Sequence, residues 1–277
     1  VVELLALWSV GAIPVPLNPQ LSEMEAQAAR VQMRDSVLPK EAQLVLWTSG
    51  TSGRPHGVVL SFGNLSASAQ AAADRLSLSS EDVWLASLSM AHVGGLALVV
   101  RSLLLGGVLV APGRFDVRVI SDLLDGKGLP TGIDAPLTHM SLVPTQLLRL
   151  LDYRESAPPS SFKCALIGGA HAPARIVARA LESGWPLALS YGATEMSSQI
   201  ATAAPSLTHE RPGTVGVPLA GVEVRIDGDG EISARGETRA VCYVCASKDV
   251  LSDEEGWYKT GDLGRFDEDG YLWITGR

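Results

Sequence analysis

Cysteine is scarce in this chain: three among 277 residues, Cys164, Cys242 and Cys245. So low and odd a count argues against a disulfide framework and fits a reducing, cytoplasmic compartment. Cys242 and Cys245 make a C-x-x-C, but no second pair or nearby His completes a zinc set, so both read as ordinary buried thiols. There is no dense Lys/Arg block, and the formal net charge is −8. An acidic chain without a basic stripe is a poor nucleic-acid binder, because phosphate contacts dominate that affinity. A nucleotide needs only a few placed groups and stays within reach. No signal peptide is visible, and Val1 to Val10, without an initiating Met, read as a helix already inside a domain. The run from Val93 to Ala111 approaches bilayer length. Arg101 at its middle and Gly94, Gly95, Gly106 and Gly107 argue against a span and for a buried helix followed by a strand. Repeats and low-complexity tracts are absent. What remains is an ordinary globular balance, 46% hydrophobic and 19% charged, in one large or two medium domains.

Apolar patterning places helices at Val2–Val10, at Ser22–Arg34 with Ser22 as N-cap, at Asn64–Leu76, Gly95–Leu105 and Gln146–Leu151 (opened by Pro144), and at Pro173–Glu182. Strands are expected at Ala12–Leu17, Ala42–Trp47, Val58–Leu60, Val83–Ser87, Val108–Ala111, Thr138–Val143, Cys164–Ile167 and Leu187–Ser190. Such alternation predicts an α/β fold with a mostly parallel sheet flanked by helices. From Gly213 the character changes. Val222–Ile226 and Glu231–Ala234 flank Asp227-Gly-Asp-Gly230, a hairpin signal, and Asp267-Glu-Asp-Gly270 precedes Tyr271–Thr275. We therefore expect an α/β core over residues 1–212 and a small antiparallel β subdomain over 213–277. Val37–Lys40 and Ser156–Ser160 are loop candidates.

The strongest chemical signal is the loop Thr48-Ser-Gly-Thr-Ser-Gly-Arg-Pro-His-Gly57 between two strands. Glycines let backbone N–H groups approach an anion, and small hydroxyls add donors without bulk, which suits a polyphosphate. It is not a Walker A loop, which would open a helix and carry a Lys. A flexible surface loop would share its composition but not the apolar strands on either side. A second block, Tyr191-Gly-Ala-Thr-Glu195, follows a strand and sets a hydroxyl and a carboxylate where a Mg²⁺–phosphate site needs them. Taken alone it could equally be an ordinary strand-to-loop turn. The third, Gly256-Trp-Tyr-Lys-Thr-Gly-Asp-Leu-Gly264, runs on to Arg277. There Asp262 could be no more than a turn residue and Arg277 a solvated charge.

Together and in this order, these blocks resemble the adenylate-forming superfamily of acyl-CoA ligases, luciferases and peptide-synthetase adenylation domains. The resemblance covers nearly the whole chain. It implies the large N-terminal domain of that fold, with its C-terminal domain absent beyond Arg277 together with that domain's catalytic Lys. It also implies ATP and Mg²⁺ as cofactors, CoA as co-substrate and a small-molecule carboxylic acid as partner, and it leaves room for a homodimer. By the same resemblance Thr48, Ser49, Gly50, Thr51, Ser52, Gly53 and His56 hold phosphates, and Thr194 contacts the α-phosphate. Glu195 holds the metal, and Tyr191 and Gly192 lie along the adenine. Gly168, Gly169 and Ala170 wall the adenine and acyl pocket, and Asp262 and Arg277 reach the ribose. His56 departs from the family pattern, which has Lys there. His is mostly neutral at pH 7 and Lys always charged, so a weaker grip on the leaving pyrophosphate is expected.

Met90-Ala-His-Val-Gly-Gly-Leu96 resembles the segment that lines the acyl tunnel of acyl- and aryl-CoA ligases, with His92 at the acid, although a lone His in an apolar stretch is more often a packed core residue. Three stretches, His92-Val-Gly-Gly to Arg101, Ile167-Gly-Gly-Ala-His-Ala-Pro173 and Tyr191 to Gln199, resemble the o-succinylbenzoate–CoA ligases of menaquinone synthesis. That acid keeps a second carboxylate, for which Arg101 is the candidate cation; a structural ion pair or a helix-edge position would explain it equally. Ser197, Ser198 and Gln199 are candidate polar pocket-liners. Three readings stay open: this ligase core, another acyl- or aryl-CoA ligase or adenylation domain, and a non-catalytic nucleotide-binding remnant. As an enzyme fragment the polypeptide is expected to turn over poorly on its own.

Overall fold

The computed structural model describes residues 1–48, 56–244 and 251–277. The chain begins with helices α1 (Val2–Ser9) and α2 (Glu23–Arg34). Ser22 caps α2 as expected, in a reciprocal box with Glu25. Between the two helices, the strand expected at Ala12–Leu17 does not form. Pro14 and Pro16 offer no N–H to a ladder, and the segment is held instead by one bond from Val45 N–H to the Pro14 carbonyl (3.1 Å) and by Ile13 and Val15 packing on the core.

Strands β1 (Ala42–Thr48) and β2 (His56–Ser61) pair antiparallel, with Thr48 opposite His56. A later strand, Cys242–Tyr243, joins the free edge of β2. Then follow α3 (Phe62–Leu76), β3 (Val83–Ala86), α4 (Val93–Leu105), β4 (Val108–Val110), α5 (Val117–Leu124), β5 (His139–Leu142), α6 (Pro144–Tyr153), β6 (Cys164–Ile167), α7 (Ala174–Glu182), β7 (Leu187–Ala193), β8 (Ser198–Ala203), α8 (Pro205–Glu210) and β9 (Val217–Pro218). They build a seven-stranded sheet in the order β4-β3-β5-β6-β7-β8-β9. The run from β4 to β7 is parallel, and β8 and β9 are antiparallel additions. Arg101 thus sits inside a buried helix and not in a membrane span; among the described residues no helix is long and apolar enough to cross a bilayer.

Side-chain alternation shows how this sheet is covered. In β3, Val83 and Leu85 pack with α5, α6 and α7 through Ile120, Leu147, Leu150 and Ile176, while Trp84 and Ala86 point to the opposite layer beside Leu98 of α4. In β6, Ala165 and Ile167 take the first face and Cys164 and Leu166 the second. Helices α3 and α4 fill the groove between this sheet and the β1–β2 hairpin, with Leu65, Ala69, Leu96 and Val99 meeting Leu44, Leu46, Val58 and Leu60. Each fully buried Leu contributes about 1.5–3 kcal/mol. Helix α5 has no counterpart among the expected elements.

The remaining strands, β10 (Val222–Ile226), β11 (Glu231–Gly236), β12 (Cys242–Tyr243), β13 (Tyr258–Phe266) and β14 (Leu272–Gly276), include the expected hairpin across Asp227–Gly230. Four of them form an antiparallel sheet in the order β10-β11-β13-β14, while β12 leaves it for β2. Cys242 is half-buried and Cys164 buried; Cys245 lies outside the described residues.

Candidate functional site

Strand β7 ends at the expected Tyr191–Gly192–Ala193, after which Thr194–Met196 make a short 3₁₀ turn and the chain doubles back as β8. Gly192 is required here: a Cβ at this position would run into the Ser198 carbonyl. Gly168, Gly169 and Ala170 continue from the carboxyl end of the neighbouring strand β6. A Cβ on Gly168 would lie 2.6 Å from Ser190 Oγ, and Gly169 takes the left-handed φ of 75° that glycine tolerates best. Motif residues therefore gather outside the carboxyl ends of parallel strands, where open α/β sheets hold their ligands.

Two hydrogen bonds join the separate motifs. Tyr191 donates its hydroxyl to Asp262 Oδ2 at 2.9 Å, which sets the third block against the second. Burial pushes the Tyr191 phenol up, and the Asp262 charge pushes it further, so it remains a donor. On the other side Tyr243 donates to Glu195 Oε1 at 3.0 Å. The Tyr243 ring packs on the His56 ring with centroids 5.1 Å apart. His56 stands opposite Thr48 at the mouth of the glycine-rich loop, so that loop's end and Glu195 share one neighbourhood. Tyr243 was not anticipated from the sequence, and only the pairing of β12 with β2 brings it here. Arg277 lies 3.6 Å from Asp262 but is largely exposed, so their attraction is weak. Ser49, Gly50, Thr51, Ser52 and Gly53 lie outside the described residues.

The acid-side candidates divide. Arg101 is 3% exposed and belongs neither to a helix edge nor, among the described residues, to an ion pair. It donates instead to Gln199 Oε1 and lies over the Trp84 ring, 5.6 Å from its centroid. Burial pulls its pKa down to about 10. Among the described residues its Nε–H has no partner, nor has the buried indole N–H of Trp84. Gln199 also bonds Thr202 Oγ1 at 2.6 Å and sits opposite Gly192 across the β7–β8 pair, which ties Arg101 to the Tyr191–Glu195 block. Ser197 is buried, and its hydroxyl is spent on the Thr238 carbonyl at 2.7 Å, so it supports the turn and does not line a pocket. Ser198 is half-buried at a φ of 114°. His92 is exposed at the N-terminus of α4, 3.4 Å from Asn18, and is therefore not a packed core residue.

Among the described residues no group of three His, Cys, Asp or Glu side chains could hold a metal ion unaided. Glu195 is a single half-buried carboxylate with one oxygen engaged by Tyr243. That donor set fits Mg²⁺ held mainly by nucleotide phosphates and water, which is how Mg²⁺ prefers to bind. The Thr48 hydroxyl, buried and without a partner among the described residues, fits a phosphate acceptor at the same end.

Comparisons with known proteins show the family. A family model described as AMP-binding enzyme matches residues 23–244. A 2-succinylbenzoate–CoA ligase from Bacillus pumilus (strain SAFR-032) is 35% identical over 278 residues, covering 96% of this chain and 55% of the relative. The ligase of the same name from Bacillus anthracis (strain A0248) is 34% identical with the same coverage, 96% and 55%. The chain thus spans about half the length of the curated relatives it matches. Among solved structures, O-succinylbenzoate Coenzyme A Synthetase (MenE) from Bacillus subtilis in complex with AMP superposes with a TM-score of 0.87 at 28% identity, over 99% of this chain and 81% of that one.

Proposed function

This chain belongs to the AMP-binding enzyme family, and on that premise we propose that it forms the nucleotide- and acid-binding core of an AMP-forming acid–thiol ligase, with o-succinylbenzoate as the acid and coenzyme A as the acceptor. The observation that carries the reading is the pair of bridges from Tyr191 to Asp262 and from Tyr243 to Glu195, with His56 against Tyr243. They gather the phosphate-loop end, the metal-site carboxylate and the ribose carboxylate around the carboxyl end of β7.

In this reading the carboxylate of the acid attacks the α-phosphate of ATP, and pyrophosphate leaves. The protein's part is positioning and charge stabilisation. Asp262 accepts from the ribose hydroxyls, a role open to a carboxylate whose Oδ2 is oriented by Tyr191 and whose remaining lone pairs can take further donors. Thr48 and the glycine-rich loop donate to the β- and γ-phosphates, and the Thr194 hydroxyl serves the α-phosphate. A Mg²⁺ ion at Glu195 would supply neutralisation of phosphate charge. Arg101 answers the carboxylate that does not react. A buried guanidinium whose hydrogen-bond partner among the described residues is a neutral oxygen is costly, and an incoming anion offsets that cost. The relatives' names support the choice of acid.

The test is ATP–pyrophosphate exchange by the complete gene product against a panel of acids. Exchange that depends on o-succinylbenzoate is expected. Exchange with other acids but not with this one would refute the acid, and failure to bind AMP or ATP would refute the core reading.

A further inference from the structure

The turn that carries Glu195 is strained and is held by α3 and by residues 238–240. Ser197 and Ser198 have φ of 55° and 114°, values that side-chain-bearing residues avoid. Three short hydrogen bonds fix it: Ser68 Oγ to the Ser197 carbonyl (2.7 Å), Ser197 Oγ to the Thr238 carbonyl (2.7 Å) and Ala240 N–H to the Glu195 carbonyl (2.7 Å). Two of them come from residues 238–240, and the same stretch leads directly into β12 and its Tyr243. The segment that locks the Glu195 backbone therefore also delivers the hydroxyl that holds its carboxylate at 3.0 Å.

We propose that Tyr243 is a positioning residue that aims the Glu195 carboxylate at the metal–phosphate end of the nucleotide. The proposal rests on the functional reading above. A phenol that donates to one carboxylate oxygen fixes the side chain's rotamer and leaves its remaining lone pairs for a cation. Partners of this kind orient a ligating group, and their loss costs about 10- to 100-fold in metal affinity. The Tyr243 ring also lies against His56, so the same side chain spans from the phosphate loop to the metal site.

The test compares wild type with Tyr243→Phe, which keeps the ring and its packing on His56. Binding is read by calorimetry in two series: AMP without Mg²⁺, and ATP across a Mg²⁺ titration. The Mg²⁺ concentration for half-maximal tightening of ATP binding should rise about tenfold or more, while AMP affinity and the melting temperature hold. Adding Tyr243→Phe to Glu195→Gln should have no further effect on it. An unchanged Mg²⁺ midpoint in Tyr243→Phe overturns the proposal and leaves the nucleotide reading intact. Parallel loss of AMP binding and melting temperature also overturns it, because Tyr243 would then be only a prop of the fold. Wild type that binds neither nucleotide overturns both.

Discussion

Replacing Arg101 by Met should move stability and acid recognition in opposite directions. Met matches the length and flexibility of the Arg stem and carries no charge. Arg101 is 3% exposed, and burial pulls its pKa down to about 10. At about 1.4 kcal/mol per tenfold change in proton affinity, this corresponds to roughly 3 kcal/mol held against the charged form. Met removes that penalty. It also leaves Gln199 Oε1 without its donor, which costs about 1–3 kcal/mol. The net expectation is a change in unfolding free energy between about 0 and +2 kcal/mol, read from denaturant melts. Acid binding should suffer: a charge-assisted bond to a carboxylate is worth about 1.5–3 kcal/mol, or about 10- to 100-fold in affinity. The assay compares o-succinylbenzoate with an analogue missing its second carboxylate. Only the dicarboxylate should lose affinity in the variant. A loss of 3 kcal/mol or more in stability, or equal effects on both acids, would refute the argument and make Arg101 a structural cation.

The remaining expectations concern pH and the phosphate loop. His139 is buried against Trp84, and burial, only partly opposed by the neighbouring Asp82, lowers its pKa to about 4. Its folded pKa lies below the ordinary His value, so the unfolded chain binds the extra proton first. Stability should therefore be full above about pH 6.5 and fall towards pH 4, by up to about 3 kcal/mol. At neutral pH His139 is uncharged, which leaves Lys163, 2.8 Å from Asp82, as that carboxylate's ionic partner. His139→Gln should flatten the acid limb of a stability–pH curve, and an unchanged limb would count against this assignment. His56→Lys should tighten pyrophosphate and ATP binding several-fold at low salt, since an ammonium on a flexible stem offers three donors and a compact charge to the phosphates. Equal affinities would show that His56 does not meet the phosphates.

Much of the fold can be read locally. The Ser22–Glu25 capping box, Pro144 at the start of α6 and the apolar runs of β3, β5, β6 and β7 announce themselves within a few residues. The strand expected at Ala12–Leu17 fails because its prolines cannot donate. Helix α5 could have been found, since Asp116 accepts from the backbone of Arg118 and Val119, and Ile120, Leu123 and Leu124 follow at helical spacing. For the site, the sequence identifies Tyr191, Glu195 and Asp262, but nothing local marks Tyr243. Its relevance arises from a strand pairing across the chain, β12 on β2, and from a hydrogen bond to a residue 48 positions away. Arg101 is visible as a charge in an apolar run. That its partners are an amide and an indole face, and not a carboxylate, is a tertiary fact.

The central claim is that the end of the glycine-rich loop, Glu195 and Asp262 border a single nucleotide cleft. A crystal structure of the protein soaked with ATP and Mg²⁺ tests it most directly. Phosphate density is expected beside Thr48 and His56, with the ribose hydroxyls on Asp262 and Tyr191 along the base. A nucleotide bound anywhere else, or one that touches only one of these three segments, would contradict it.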